Sequence, residues 1–100
     1  MDAEEEATLL TRLQYGDAQA LRDLYTRLAK NVYTLALQML QSHEEAEEVL
    51  QDTFFKVYKS PHGFDAERGS ARAFIYTVAR NRSEERRVGK ECRSRWSPYH

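Results

Sequence analysis

The stretch LRDLYTRLAKNVYTLALQML, residues 21–40, decides the fold. Its apolar residues recur three and four positions apart, which is the spacing of one buried stripe on an α-helix. The stripe consists of Leu21, Leu24, Tyr25, Leu28, Val32, Leu35, Ala36, Met39 and Leu40. Tyr33 and Leu37 widen it towards a second face, which is typical of a helix in the middle of a bundle. We therefore predict a long central helix that begins after Asp17 and ends at about Gln41.

Three further helices are predicted around the central one. A short first helix covers residues 4–15 and ends at Gly16, and a third follows the Ser42 cap to about Lys59. A fourth follows the Ser70 cap, after a loop that begins at Ser60. No segment alternates in the manner of a strand. The predicted fold class is all-α, a compact bundle of about four helices.

Composition limits the classes of function. One hundred residues with 41% hydrophobic content allow one small domain. The acidic N-terminus is unlike a secretory signal and no apolar run is long enough to span a membrane, which predicts a cytoplasmic protein without a membrane span. The three histidines are scattered and no nucleophile pattern or phosphate-binding glycine loop is present. We predict that the chain is not an enzyme and needs no cofactor.

Charge is distributed unevenly along the chain. Residues 1–52 contain 11 acidic and 4 basic residues, a net charge of −7. Residues 53–81 contain 5 basic and 2 acidic residues, a net charge of +3, and residues 82–100 add a further +3. An acidic half followed by a basic half predicts two different partners.

The acidic residues concentrate on one side of the third helix. Ala46, Val49 and Phe54 belong to its apolar stripe, so the side chains between them face outward. Three interpretations remain open for this outward side: a solvated face, a docking face that uses the exposed ring of Phe55, and a metal site at His43 and Glu47. A metal centre in a bundle needs ligands from the facing helices, and the apolar stripe of the central helix supplies none. We therefore predict no metal site.

The segment that follows, residues 56–81, interleaves basic and aromatic side chains. Basic groups neutralise phosphates and aromatic rings stack on unpaired bases, so the pattern suits single-stranded nucleic acid. The same rings also suit a protein core. The residues alone leave open a nucleic-acid-binding protein, a helical protein-protein adaptor without DNA binding and, disfavoured by the missing ligands, a small acidic metal-binding bundle.

Three linked motifs carry a family resemblance. They are GDAQALRDLYTRLAKNVYTLALQML (residues 16–40), EEAEEVLQDTFFKVYKS (residues 44–60) and FDAERGSARAFIYTVARN (residues 64–81). Together they resemble region 2 of bacterial sigma-70-family RNA polymerase sigma factors of the extracytoplasmic-function (ECF) group. The resemblance implies a transcription initiation factor that binds the RNA polymerase core and both recognises and melts the promoter minus-ten element. An anti-sigma factor is a further expected partner.

The resemblance also implies site residues. It assigns binding of the clamp helices of the polymerase beta-prime subunit to Glu47, Glu48, Gln51, Asp52 and Phe55. It assigns contact with the non-template DNA strand to Phe64, Ser70, Arg72, Tyr76, Arg80 and Asn81. Asn81 matches the residue that lies near an extruded base, and such base flipping lets a small protein read the sequence of a strand that it helps to separate.

The last nineteen residues, RSEERRVGKECRSRWSPYH (82–100), resemble a translated reading frame of a short-read DNA sequencing adapter. We therefore expect residues 1–81 to be the native region 2 domain with a truncated last helix, and residues 82–100 to be a non-native tail. The region 4 helix-turn-helix domain of the family is expected to be absent. Because residues 80–87 imitate the family's acid and arginine run, the fourth helix is expected to extend into the tail and to stop before Gly89.

Overall fold

The structure, a computed structural model, describes the backbone of residues 2–65 and 67–99 and the side chains of residues 5–65 and 67–87. Within this range the chain forms four α-helices and a short 3-10 turn, without strands. These elements are α1 (Asp2–Gln14), α2 (Ala18–Leu40), α3 (His43–Lys59), the 3-10 turn (Pro61–Gly63) and α4 (Ala71–Tyr99). The predicted all-α bundle is confirmed.

Helix α2 lies against all three of the other helices, as its two apolar faces predict. Every fourth residue along its full length is buried: Ala20, Leu24, Leu28, Val32, Ala36 and Leu40. Tyr25 lies at the margin of this stripe, where it is 41% exposed and its ring meets the edge of Phe54 at a centroid distance of 5.0 Å. Because each fully buried leucine contributes about 2 kcal/mol, α2 supplies much of the hydrophobic stabilisation.

The three predicted helix caps are present. Asp17 accepts a hydrogen bond from the backbone N–H of Gln19 at 3.1 Å, and Ser42 accepts one from Glu45 at 3.3 Å. Ser70 Oγ accepts the backbone N–H of Ala73 at 3.0 Å. Each of these bonds satisfies an N–H group that the first turn of a helix leaves without a partner, so each fixes where its helix begins.

Two helix ends differ from the prediction. Helix α1 begins at Asp2, two residues earlier than predicted, because its acidic first turn is favoured by the helix dipole. Helix α4 continues through Gly89 to Tyr99, so its predicted end before Gly89 is wrong. One glycine costs a helix only about 1 kcal/mol, and the arginine, glutamate and lysine residues on either side of it favour the helix. No helix in the described part of the chain is both long and apolar enough to cross a bilayer.

Candidate functional site

The outward side of α3 carries the predicted protein-binding residues together. Glu47, Glu48 and Gln51 are exposed and Asp52 is half-buried, and we call these four residues the acidic face. They face outward because the opposite side of the helix is fixed in the core by its buried apolar residues. Phe55 borders the acidic face with 61% of its surface exposed, and the ammonium group of Lys59 lies 5.5 Å from its ring centroid. The arrangement joins an acidic surface to one aromatic anchor.

Two arginines of α4 already pair with this acidic face. Arg82 Nη2 donates to Asp52 Oδ2 at 2.9 Å, and Arg86 pairs with Glu48. The hydrogen bond to Asp52 raises the pKa of the Arg82 guanidinium. Arg82 and Arg86 are four residues apart, so they lie on one side of α4 and reach α3 as a pair. Part of the acidic face is therefore neutralised within the chain. These ion pairs are not predicted when residues 82–100 are regarded as a separate tail.

Ser83 is buried against the bundle beside these arginines. Its hydroxyl has no hydrogen-bond partner among the described residues. An unsatisfied buried hydroxyl costs roughly 1–3 kcal/mol. The buried hydroxyl of Thr53 on α3 likewise has no partner among the described residues, so Ser83 is not unusual in this bundle.

A groove of about 280 Å³ opens between the loop after α3 and the first two turns of α4. Its lining comprises Gly63, Phe64, Asp65, Arg68, Gly69, Ser70, Ala73, Phe74 and Thr77. The rings of Phe64 and Phe74 lie 5.8 Å apart between centroids and tilt by 54°. A Cβ atom on Gly63 would lie 3.2 Å from Phe74 Cε1, so glycine lets the loop approach this ring closely. The groove thus has aromatic rings at its bottom and backbone and polar groups at its rim.

Phe64 and Ser70 are the two predicted DNA-contact residues that line this groove. Phe64 is only 6% exposed, because its ring packs into the core, so it is not the free stacking platform that the basic and aromatic pattern suggests. Ser70 Oγ accepts the cap bond from Ala73. The alternation of basic and aromatic residues predicted a nucleic-acid-binding segment at residues 56–81, but it did not predict the groove.

The remaining predicted DNA-contact residues lie along α4. Tyr76 is half-buried against the core, whereas Arg80 and Asn81 are exposed. Asn81 is four residues after Thr77, which lines the groove, so it continues the same side of the helix one turn further on. The exposed amide of Asn81 can donate and accept hydrogen bonds beyond the end of the groove.

Arg72 differs from the other predicted DNA contacts because it is paired with a buried carboxylate of α1. Its Nη2 and Nε atoms donate to the two carboxylate oxygens of Glu6 at 2.7 and 3.2 Å. The Glu6 side chain is only 2% exposed. A buried carboxylate needs such a partner, since removing an unpaired charge from water is very costly. The Arg72 side chain itself is 43% exposed, so its predicted contact with DNA stays a prediction.

The candidate metal pair, His43 and Glu47, gains no support from its surroundings. The Tyr33 hydroxyl forms a hydrogen bond with His43 Nδ1, and the two rings stack 6.1 Å apart. Across the residues with described side chains, no three histidine, cysteine, aspartate or glutamate side chains cluster in a way that could hold a metal ion.

Comparisons with known proteins cover both surfaces. Residues 24–90 match the sequence profile of the family described as Sigma-70 region 2, a match that continues beyond Asn81. The chain is 31% identical over 78 residues to the ECF RNA polymerase sigma factor SigK of Mycobacterium bovis (strain BCG / Pasteur 1173P2), covering 78% of this chain and 42% of that protein. SigK of Mycobacterium sp. (strain KMS) is 30% identical over 86 residues, covering 86% of this chain and 45% of that protein. The chain therefore spans less than half the length of these relatives.

A solved structure shares the fold as well. It is an NMR structure of an engineered region 2 of sigmaE in complex with GTAAAA, with a TM-score of 0.76 and 27% sequence identity. The similarity covers 88% of this chain and 90% of that one. It therefore includes nearly the whole bundle.

Proposed function

Since the chain belongs to the sigma-70 family of transcription initiation factors, as region 2 of an ECF-group member, we propose that it binds the RNA polymerase core and both recognises and melts the promoter minus-ten element. The observation that carries this proposal is that residues 24–90, which match the family, contain both the acidic face and the groove. One bundle thus presents a surface for a protein next to a surface for an unpaired base. Members of this family act without catalysis of their own, and we propose no enzymatic activity here.

The acidic face is proposed to bind the clamp helices of the polymerase beta-prime subunit. Glu47, Glu48, Gln51 and Asp52 would meet basic groups of the partner, and Phe55 would provide the apolar anchor. Interfaces of this kind derive most of their affinity from a few buried aromatic or arginine side chains, while the charges around them set orientation and rate. An aromatic ring that is 61% exposed in the unbound chain is suited to this role.

The groove is proposed to receive an unpaired base of the non-template strand. Phe74 would contact its face from the bottom of the groove, with the buried ring of Phe64 packed against Phe74, while Ser70 lies at the rim. Tyr76, Arg80 and Asn81 would follow the strand along α4. Removing a base from its stack exposes its hydrogen-bonding edge, and an asparagine amide can pair with such an edge through both of its polar atoms.

A binding titration with purified RNA polymerase core tests the proposal. Reversing two charges, Glu48→Arg together with Asp52→Arg, should weaken binding by about tenfold or more, because attraction becomes repulsion. The matched control is Asp23→Arg, an exposed charge reversal on α2 that should leave binding unchanged. Circular dichroism should show equal helicity in all variants. Equal losses in the control and the double variant would contradict the assignment of the acidic face.

A second titration, with the single-stranded hexamer GTAAAA, separates the proposal from its alternative. This hexamer is the ligand of the related engineered sigmaE region 2 and is therefore a suitable probe. A chain that binds polymerase core but has no affinity for single-stranded DNA would be a protein-protein adaptor. A cytoplasmic location and an anti-sigma partner complete the proposal, and both rest on the family alone.

We also propose that residues 1–81 are the native domain and that residues 82–100 are foreign. The support is the resemblance of residues 82–100 to a translated sequencing adapter. The family match beyond Asn81 agrees with either origin, because the sequence after Asn81 imitates the charged run of the family. Sequencing the gene from genomic DNA without ligated adapters tests this directly. Recovery of the same codons after Asn81 would contradict it.

A further inference from the structure

Helix α1 lies outside the segment that matches the family, yet two of its side chains bind the segments that form the groove. At its C-terminal end, the amide Nε2 of Gln14 donates to the backbone carbonyl of Pro61 at 2.8 Å and to that of Phe64 at 3.0 Å. Phe64 lines the groove on the loop side, which we call the loop wall (residues 61–65). One side chain of α1 therefore holds the loop wall at two carbonyls, that of the first residue of the 3-10 turn and that of the residue that follows the turn.

At the N-terminal end of the same helix, Glu6 holds the opposite wall. Its buried carboxylate binds Arg72 through two hydrogen bonds of 2.7 and 3.2 Å. Arg72 is the second residue of α4 and lies between Ser70 and Ala73, which both line the groove. We call the cap residue and the first turn of α4 the helix wall (residues 70–74). Glu6 and Arg72 are 66 positions apart in sequence, so the pair fixes a tertiary distance and not a local turn.

We propose that α1 is the positioning element of the groove, with Gln14 and Glu6 as positioning residues that set the distance between its two walls. In this proposal, Arg72 connects the start of α4 to Glu6 of α1 and does not bind a DNA phosphate. The inference rests on the proposed function only in taking an unpaired base as the ligand of the groove. It adds which side chains make the groove ready for that ligand.

The physical reason lies in the stiffness of a helix. Gln14 and Glu6 are eight residues apart, which corresponds to about 12 Å along α1, and a helix keeps that spacing. The ring of Phe64 is held in the core, but the backbone of the loop wall is one 3-10 turn followed by irregular residues, so the two bonds from Gln14 add to a short hydrogen-bond pattern. Packing of Phe64 on Phe74 sets the depth of the groove, while the bonds from α1 set its width. Without these bonds the loop would have to become ordered when the ligand binds, which lowers affinity.

Substitutions in the full chain test the two positioning residues. Glu6→Gln and Gln14→Leu should each weaken binding of the GTAAAA hexamer by about three- to tenfold, while affinity for polymerase core stays unchanged. The matched control for the first is Glu5→Gln, which removes the ion pair of Glu5 with Arg27 by the same chemical change one residue away. The matched control for the second is Gln38→Leu, an exposed position on α2. Neither control should alter DNA affinity.

Arg72→Lys distinguishes positioning from direct contact with DNA. Lysine keeps the positive charge but loses the planar fork that bonds both oxygens of Glu6. If Arg72 bound a phosphate, the lysine variant would bind DNA nearly as the wild type does. The proposal expects it to lose affinity as Glu6→Gln does, with the slope of log affinity against log salt unchanged, because no phosphate contact is removed.

Amide hydrogen exchange in the unbound chain gives a measurement that is independent of DNA. Exchange should accelerate in the loop wall and the helix wall of Glu6→Gln and Gln14→Leu, and not in the two controls. If this pattern appears while the wild-type chain binds no hexamer, the proposed function fails and the positioning role stands. Wild-type DNA affinity in both variants overturns the proposal, as does an equal acceleration of exchange throughout the bundle. Gln14→Leu keeps the test decisive should Glu6→Gln fail to fold.

Discussion

Removing the two arginines that cover the acidic face should strengthen binding of the chain to polymerase core. In the free chain, Arg82 pairs with Asp52 and Arg86 pairs with Glu48. The same two carboxylates are proposed to meet the polymerase. The partner must therefore break these pairs, or share their charges, before it can engage the face. The double variant Arg82→Gln with Arg86→Gln removes this internal competition and leaves the carboxylates in place.

The size of the effect follows from the exposure of the pairs. The side chains of Arg82 and Asp52 are 35% and 40% exposed, and those of Arg86 and Glu48 are 30% and 57% exposed. Solvent screens such pairs, so each contributes only about 0.2–1 kcal/mol. Two pairs then oppose binding by about 0.4–2 kcal/mol, which corresponds to about a two- to thirtyfold gain in affinity for the double variant. Its free energy of unfolding should fall by the same amount.

Fluorescence anisotropy of the labelled chain, titrated with purified core at low and at high salt, measures this gain. The gain should shrink as salt rises, because screening weakens the internal pairs in the wild type. Arg22→Gln, an exposed arginine on α2, is the matched control and should leave the affinity unchanged. An unchanged or weaker affinity in the double variant would refute the reasoning, since the arginines would then be neutral or part of the interface.

Three further predictions concern single residues. Asn81→Ala should weaken binding of the GTAAAA hexamer more than binding of polymerase core in parallel titrations, and Asn31→Ala, at an exposed position on α2, should change neither. Ser83→Ala should raise the free energy of unfolding by about 1 kcal/mol in urea denaturation, because it removes a buried hydroxyl that lacks a partner among the described residues; a loss of stability would show a hidden hydrogen bond. The hydrogen bond from Arg12 lowers the pKa of Asp17, because it favours the ionised carboxylate. The stability that this carboxylate contributes is therefore present at neutral pH and is lost as the pH falls below about 4. Urea midpoints measured across this pH range should fall less steeply in Asp17→Asn than in the wild type, and parallel curves would contradict the assignment.

Local sequence signals predicted the elements of the fold well. The apolar residues of α2 predicted its buried stripe because helical periodicity depends on the sequence alone, and Leu24, Leu28 and Val32 are all fully buried. Asp17, Ser42 and Ser70 marked the starts of three helices, since a cap is a contact within one turn of the chain. The same reasoning placed Glu47, Glu48 and Gln51 outside, as the complement of the buried side of α3.

Contacts between distant elements could not be predicted in this way. Glu6 is one of three consecutive glutamates, and the acidic first turn suggested only a favourable interaction with the helix dipole. Whether it is buried against Arg72 depends on the rotation and crossing angle of α1 and α4, which periodicity does not specify. The groove likewise depends on how the loop after Lys59 folds back to meet Gln14. The pairing of Arg82 with Asp52 depends on the same packing between helices.

A competition experiment on purified RNA polymerase core tests the central claim most directly. A labelled, intact ECF sigma factor is bound to core, and the unlabelled chain is added while fluorescence anisotropy reports release of the label. Because the acidic face is proposed to occupy the clamp helices used by the intact factor, the wild-type chain should displace it, and Glu48→Arg with Asp52→Arg should displace it only at much higher concentration. Retention of the intact factor at saturating concentrations of the chain would contradict the assignment of this bundle as a polymerase-binding domain.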